Sequence, residues 1–119
     1  MNKIYNPVVE KSFDFSVRIV NCYKYLIKKE RSLSPLYNQL LKSGTSIGAN
    51  IAESQAAASK VDFRNKLRIS LKEAYETEFW LKLFFKTEIL CEDEYESLVI
   101  DCVEIIKLLI SIIINIKIK

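Results

Sequence analysis

Between residues 34 and 58 the chain carries only two charged side chains, Lys42 and Glu53. A helix on the surface of a soluble domain is normally much richer in charge on its solvent side. The segment therefore predicts an element covered on more than one side. Leu36, Leu40, Ile47 and Ile51 supply large apolar contacts, while Gly44, Gly48, Ala52 and Ala56 recur every four residues. Residues four apart share one side of a helix, so these four make a ridge of small side chains that another helix can approach closely. The two glycines lower helix propensity by roughly 1 kcal/mol each relative to alanine. The alternative is a helix broken at Gly44 or Gly48; we read it as continuous over 35–57.

The remainder is nearly free of helix breakers: of the two Gly and two Pro in 119 residues, only Pro7 lies outside 34–58. Pro7 suits a first helical turn, with Asn6 available as cap, and a helix is predicted over 7–29. Phe15, Ile19, Cys22 and Leu26 form its main stripe, and Phe13, Val17, Val20 and Ile27 a broader neighbouring one. Ser34 and Pro35 open the second helix. Ser59 and Asp62 have the spacing of reciprocal capping partners at the start of a third helix over 60–88. Its main face is Phe63, Leu67, Leu71, Ala74, Leu81 and Phe85, and Trp80 and Phe84 add a second apolar edge. Glu92, Asp93 and Glu94 suit the positive end of a fourth helix over 92–115. Four helices with short connections predict an all-α, antiparallel up-and-down four-helix bundle, one domain across 1–119.

Composition narrows the chemistry. The absence of His removes the usual neutral-pH base and the commonest transition-metal ligand. No catalytic constellation is visible, so an enzyme is not expected, and neither a cofactor motif nor a metal-ligand pattern stands out. Cys22, Cys91 and Cys102 are odd in number, far apart and lack a CxxC unit, which reads as buried thiols in a reducing cytoplasm, with an oligomer-linking disulfide as the alternative. The apolar run from Leu108 to Ile116 falls short of the roughly 20 residues of a membrane span, and a cytoplasmic protein is the expectation. Ile100, Val103, Leu108, Ile110 and Ile114 widen the fourth helix's apolar perimeter beyond what one bundle needs. A monomer would expose some of them, so self-association is expected.

The run from Gln39 to Glu53, with Lys42-Ser43-Gly44-Thr45-Ser46-Ile47-Gly48-Ala49-Asn50-Ile51-Ala52-Glu53 at its heart, resembles the signature of a bacterial four-helix-bundle family, the 23S ribosomal RNA intervening-sequence proteins. The likeness continues through Ser59, Asp62, Phe63, Lys66-Leu67, Leu71-Lys72-Glu73-Ala74 and Glu76-Thr77-Glu78, with Phe13 and Arg18-Ile19-Val20 before it. The resemblance implies a cytoplasmic, ring-shaped homopentamer of unestablished cellular role. A related bundle, the accessory protein of diversity-generating retroelements, binds nucleic acid and assists a reverse transcriptase. RNA, DNA or a nucleic-acid enzyme thus joins the chain itself among expected partners. The family commonly has Arg where this chain has Lys42.

Two groups of residues carry these expectations. Gly44, Ile47, Gly48, Asn50, Ile51, Ala52, Glu53 and Ala56 are candidates for an oligomer interface or close helix packing. For Asn50 and Glu53 the plain reading is a hydrogen-bond network to a neighbouring helix, and Thr45 and Ser46 read as bonding back to helix carbonyls. Lys24, Lys28 and Arg31 fall on one face of the first helix, and Arg64, Arg68 and Lys72 on one face of the third, where they can meet phosphates. The competing reading of both stripes is a solvated basic face. Glu73, Glu76 and Glu78 lack the Glu-x-x-His spacing of di-iron bundles and read as structural, with Glu78 a candidate partner for Arg18.

Overall fold

In the computed structural model, which describes residues 7–118, the chain is an up-and-down four-helix bundle 49 Å long and about 20 Å across. Helix α1 spans Val8–Lys29, α2 Ser34–Ser54, α3 Lys60–Lys86 and α4 Glu92–Ile114, with a single 3-10 turn at Arg31–Leu33. Each helix packs on its successor, and the fourth returns to the first through a much sparser contact.

Helix boundaries follow local chemistry. Pro7 precedes α1 without a side-chain cap, and Asn6 lies outside the described residues. Leu33 occupies the cap position of α2, so Ser34 is the first helical residue, followed by Pro35. The Asp62 amide donates to Ser59 Oγ at 3.1 Å, while its carboxylate accepts from the Ala58 amide at 3.3 Å, one residue upstream of the expected return bond. At the end of α3 the chain turns at Glu88, whose φ of 64° is left-handed. Ile89 and Leu90 then donate back to the Phe84 carbonyl, which closes α3 at Lys86, short of the expected 88. Helix α2 stops at Ser54, so Ala56 and Ala57 lie in the turn before α3.

The core is a single cluster running the length of the bundle, including Phe15, Ile19, Leu26, Tyr37, Leu40, Ile47, Ile51, Leu67, Leu81, Phe84, Cys102 and Leu109. Phe84, read from sequence as an edge residue, is fully buried and meets the Tyr37 ring edge-on at 5.8 Å. Phe13 and Val17 go the other way. Phe13 is 67% exposed and Val17 is also exposed, because the second stripe of α1 has no helix beyond it in the chain.

Helix α2 is unbroken at both glycines and lies between α1 and α3. A Cβ built on Gly44 would sit 2.8 Å from both Cγ atoms of Ile19, and one on Gly48 would sit 2.9 Å from Ser16 Oγ and 3.0 Å from the Ser12 carbonyl oxygen. The close approach belongs to α1 of the same chain. At Gly48 the obstacle includes backbone, which cannot swing aside. Gly48→Ala therefore sets about 1 kcal/mol of gained helix propensity against about 1–3 kcal/mol of overpacking. Chemical denaturation should show a net loss of about 1 kcal/mol, and a stabilised variant would refute the tight α1–α2 contact.

Candidate functional site

The small-residue ridge divides in two. Gly44, Ile47 and Ile51 are buried and Gly48 half-buried, whereas Ala52, Glu53 and Ala56 face outward. Asn50 donates to the Ser46 carbonyl of its own helix at 2.9 Å and not to a neighbouring helix. Glu53 does reach across, accepting from Lys66 Nζ of α3 at 3.0 Å. Thr45 bonds back to the Leu41 carbonyl at 2.8 Å, as its position in a helix interior suggested. Two sides of α2 are covered, by α1 and α3. A third, carrying Asn38, Lys42, Ala49, Ala52 and Glu53, is open in the single chain.

The two basic stripes lie apart. Lys24, Lys28, Arg31, Arg68 and Lys72 are exposed, and Arg64 is half-buried with its Nε enclosed and lacking a hydrogen-bond partner. Because Ile19 packs on Gly44 and Thr77 on Ser43, the bundle levels can be matched. At 1.5 Å per residue, Lys28 stands about 25 Å along the axis from Arg68. One chain thus presents two separate basic faces. Ion pairs among the described residues use other cations: Lys11 with Glu104, Arg18 with Asp101 and Lys66 with Glu53.

Arg18 corrects one expectation. Its guanidinium donates to Asp101 at 2.6 Å and to the Ser97 carbonyl and hydroxyl at 3.1 and 2.7 Å. Glu78 sits on α3, diagonal to α1, while α4 lies beside α1 and claims the arginine. Glu76 accepts from Trp80 Nε1 at 3.1 Å. Among the described residues, no group of three or more Cys, Asp or Glu is placed to hold a metal ion. No helix there is long and apolar enough to cross a membrane.

The α1–α4 seam holds an open cleft of about 500 Å³, lined by Arg18, Cys22, Tyr25, Leu90, Glu94 and Leu98 among others. Burial pushes the Cys22 thiol up to about 11 and the buried Cys102 thiol up to about 12. Cys102 donates to the Ala74 carbonyl at 3.3 Å. Cys91 is exposed, and all three cysteines are free. The expected set of three buried thiols thus reduces to one that is fully enclosed. Cys91 instead caps α4: its amide donates to Glu94 Oε1 at 2.9 Å, and its sulfur accepts from the Glu94 amide. The acidic run suggested a favourable charge here, but a cysteine cap is not among the usual sequence signals.

A family model described as 23S rRNA-intervening sequence protein matches residues 6–111. The chain belongs to that family. The matched region takes in α1, α2, α3 and most of α4, so the ridge and both basic stripes lie inside it. This intervening-sequence family member is similar to a solved structure from Bacteroides thetaiotaomicron VPI-5482, a protein with unknown function from the S23 ribosomal protein family. The two share 54% identity over 89% of this chain and 97% of that one, with a TM-score of 0.86. No curated protein matches the chain.

The α4 cap offers a pH test of the family member's local electrostatics. The Cys91 amide holds the Glu94 carboxyl below its ordinary 4.5, against a smaller opposing effect of burial. A depressed carboxyl contributes stability that is present above its unfolded value and is lost as pH falls through the folded one. Glu94→Gln keeps an acceptor but removes the charge from the helix's positive end, and should cost about 0.5 kcal/mol at neutral pH. Denaturation between about pH 6 and pH 3 should show a smaller acid loss for the variant than for the parent. Parallel curves would refute the charged cap.

Proposed function

We propose that this intervening-sequence family member is a non-enzymatic, cytoplasmic, self-associating helical module that binds RNA or DNA through its basic helix faces. One observation carries the reading. None of Lys24, Lys28, Arg31, Arg64, Arg68 and Lys72 enters an ion pair among the described residues, although 15 acidic residues are available in the chain. Cations left in water at regular helical spacing are free to replace the counterions of a phosphate backbone. The likeness to the accessory bundles of retroelements supports the same partner class, including a nucleic-acid enzyme working on the bound strand. A ring of five subunits, as the resemblance implies, would repeat each stripe five times and convert weak contacts into useful avidity.

A second reading rests on a different observation. Ile100 and Ile114 of α4 are 63% and 74% exposed, and Ile110 is exposed beside them. Such a row suits burial against protein, so the alternative is a self-assembling scaffold or adaptor without direct nucleic-acid contact.

Two measurements separate these readings. A stripe that engages three phosphates predicts roughly a twentyfold loss of affinity for a single strand, and roughly fortyfold for a duplex, between about 50 and 200 mM salt. Labelled RNA and DNA titrated across that range test it, and no association at the lowest salt would reject direct binding. Light scattering after size-exclusion chromatography should give a mass at least twice the 13.8 kDa of one chain. A monomer at micromolar concentration would refute self-association under either reading.

A further inference from the structure

Two large aromatic side chains on α3 are left in solvent where a bundle has no use for them. Tyr75 is 49% and Phe79 56% exposed. Tyr75 makes no ring contact and no side-chain hydrogen bond among the described residues, and Phe79 touches one ring, that of Trp80, edge-on at 5.0 Å. Their position is as informative as their exposure. Arg64, Arg68, Lys72, Tyr75, Phe79 and Lys82 follow one another at steps of four, four, three, four and three residues. At 100° per residue they fall within a sector of about 80°. They form a single stripe about 27 Å long at 1.5 Å per residue. No carboxylate of α3 lies in that sector; Glu73, Glu76 and Glu78 all point elsewhere on the helix. Arg64 at its lower end still holds an enclosed Nε donor with nothing to accept from it.

We infer that this stripe of α3 binds single-stranded nucleic acid in preference to duplex, with Arg64, Arg68 and Lys72 meeting successive phosphates and Tyr75 and Phe79 each stacking one unpaired base. The inference rests on the nucleic-acid reading above and narrows its substrate class. Cations alone do not distinguish a duplex from a single strand, since both offer phosphates. Exposed ring faces do distinguish them, because bases in a duplex are stacked on each other and only unpaired bases present a free face. Tyr75 and Phe79 stand one turn apart, about 6 Å along the axis, so neighbouring bases of an extended strand can each meet a ring. The charge pattern selects this occupant over a protein. A subunit interface with the same aromatics would bring four cations outside any ion pair with it, Arg64, Arg68, Lys72 and Lys82, and α3 offers no acid in the sector to neutralise them.

The test uses the full chain and labelled oligouridine, oligothymidine and a mixed-sequence duplex of equal length. The double variant Tyr75→Ser, Phe79→Ser should lose roughly thirtyfold or more in affinity for both single strands. Its salt dependence and its duplex affinity should stay unchanged. The double variant Arg68→Ala, Lys72→Ala should instead weaken all three ligands and flatten the salt dependence. A second aromatic variant, Tyr75→Leu with Phe79→Leu, keeps apolar bulk and should repeat the single-strand loss, which guards against a folding artefact. Equal loss on strand and duplex, or no loss at all, would overturn the inference while leaving phosphate binding intact. A parent protein that binds none of the ligands would overturn the wider reading as well. Dissociation of the aromatic variant to a lower mass in light scattering would assign the stripe to a subunit contact and overturn the inference.

Discussion

The contact between α1 and α2 at Gly44 and Gly48 sets the geometry on which the other packing relations depend. A methyl group at either position would overlap Ile19 or the α1 backbone at Ser12, so only hydrogen lets the two axes approach this closely. Helix α2 then sits deep enough for α3 to close over its opposite flank. There the buried hydroxyls bridge the two helices: Ser70 donates to the Ile47 carbonyl at 2.8 Å, and the Thr77 and Ser43 hydroxyls meet at 2.9 Å. A hydroxyl in such a place is stable only when partnered. These contacts therefore fix the α2–α3 register more sharply than apolar packing, which tolerates sliding. Glycine proximity on one side and hydroxyl pairing on the other explain why α2 needs so little charge.

The α1–α4 seam is of a different kind. It has no counterpart to the glycine contact and is spanned near the surface by the Lys11–Glu104 and Arg18–Asp101 pairs. Exposed ion pairs are worth little, typically under about 1 kcal/mol each. The seam accordingly leaves clefts beside Cys22 and between Lys11 and Asp101. Three seams are tightly packed and one is loosely held, as expected for an up-and-down bundle in which the first and last helices meet without a connecting loop.

Much of the fold was legible because its causes are local. Helical spacing, two proline and serine start signals and the scarcity of glycine located four helices to within a few residues at each end. Errors at the ends have local causes too. The left-handed turn at Glu88 has no glycine to announce it, and the cap at Cys91 uses a residue not counted among helix caps. Orientation was harder to read. Phe13 and Val17 repeat at the spacing of a buried stripe, and only the placement of α2 and α4 around α1 reveals that their side has no neighbour. Arg18 illustrates the same limit: its spacing is compatible with Glu78, but in a four-membered ring of helices α1 touches α2 and α4, and α3 lies across the diagonal. Tyr75 and Phe79 are hidden for the opposite reason: in the sequence Tyr75, taken with Tyr23, Tyr25 and Tyr37, forms no recognisable RNA-reading module, and Phe79 belongs to no stripe. Each looks unremarkable alone, and the stripe they form with Arg68 and Lys72 becomes visible only once both are known to be uncovered.

The separation of the two basic stripes has a consequence for any ligand. With Lys28 and Arg68 about 25 Å apart along the axis, a single chain cannot bring both stripes to one short segment of backbone. Each stripe alone offers three or four cations, enough for weak and salt-sensitive attachment. A long flexible strand could satisfy both by running along the bundle, but the ordering entropy of the intervening nucleotides would oppose it. In the proposed assembly, repetition of the same stripe by neighbouring subunits would avoid that cost, because equivalent cations would recur at fixed spacing and the strand would be held at many equal points. The weakness of one stripe and the uncovered apolar face of α4 are thus met together by the proposed self-association, which would multiply the first and cover the second.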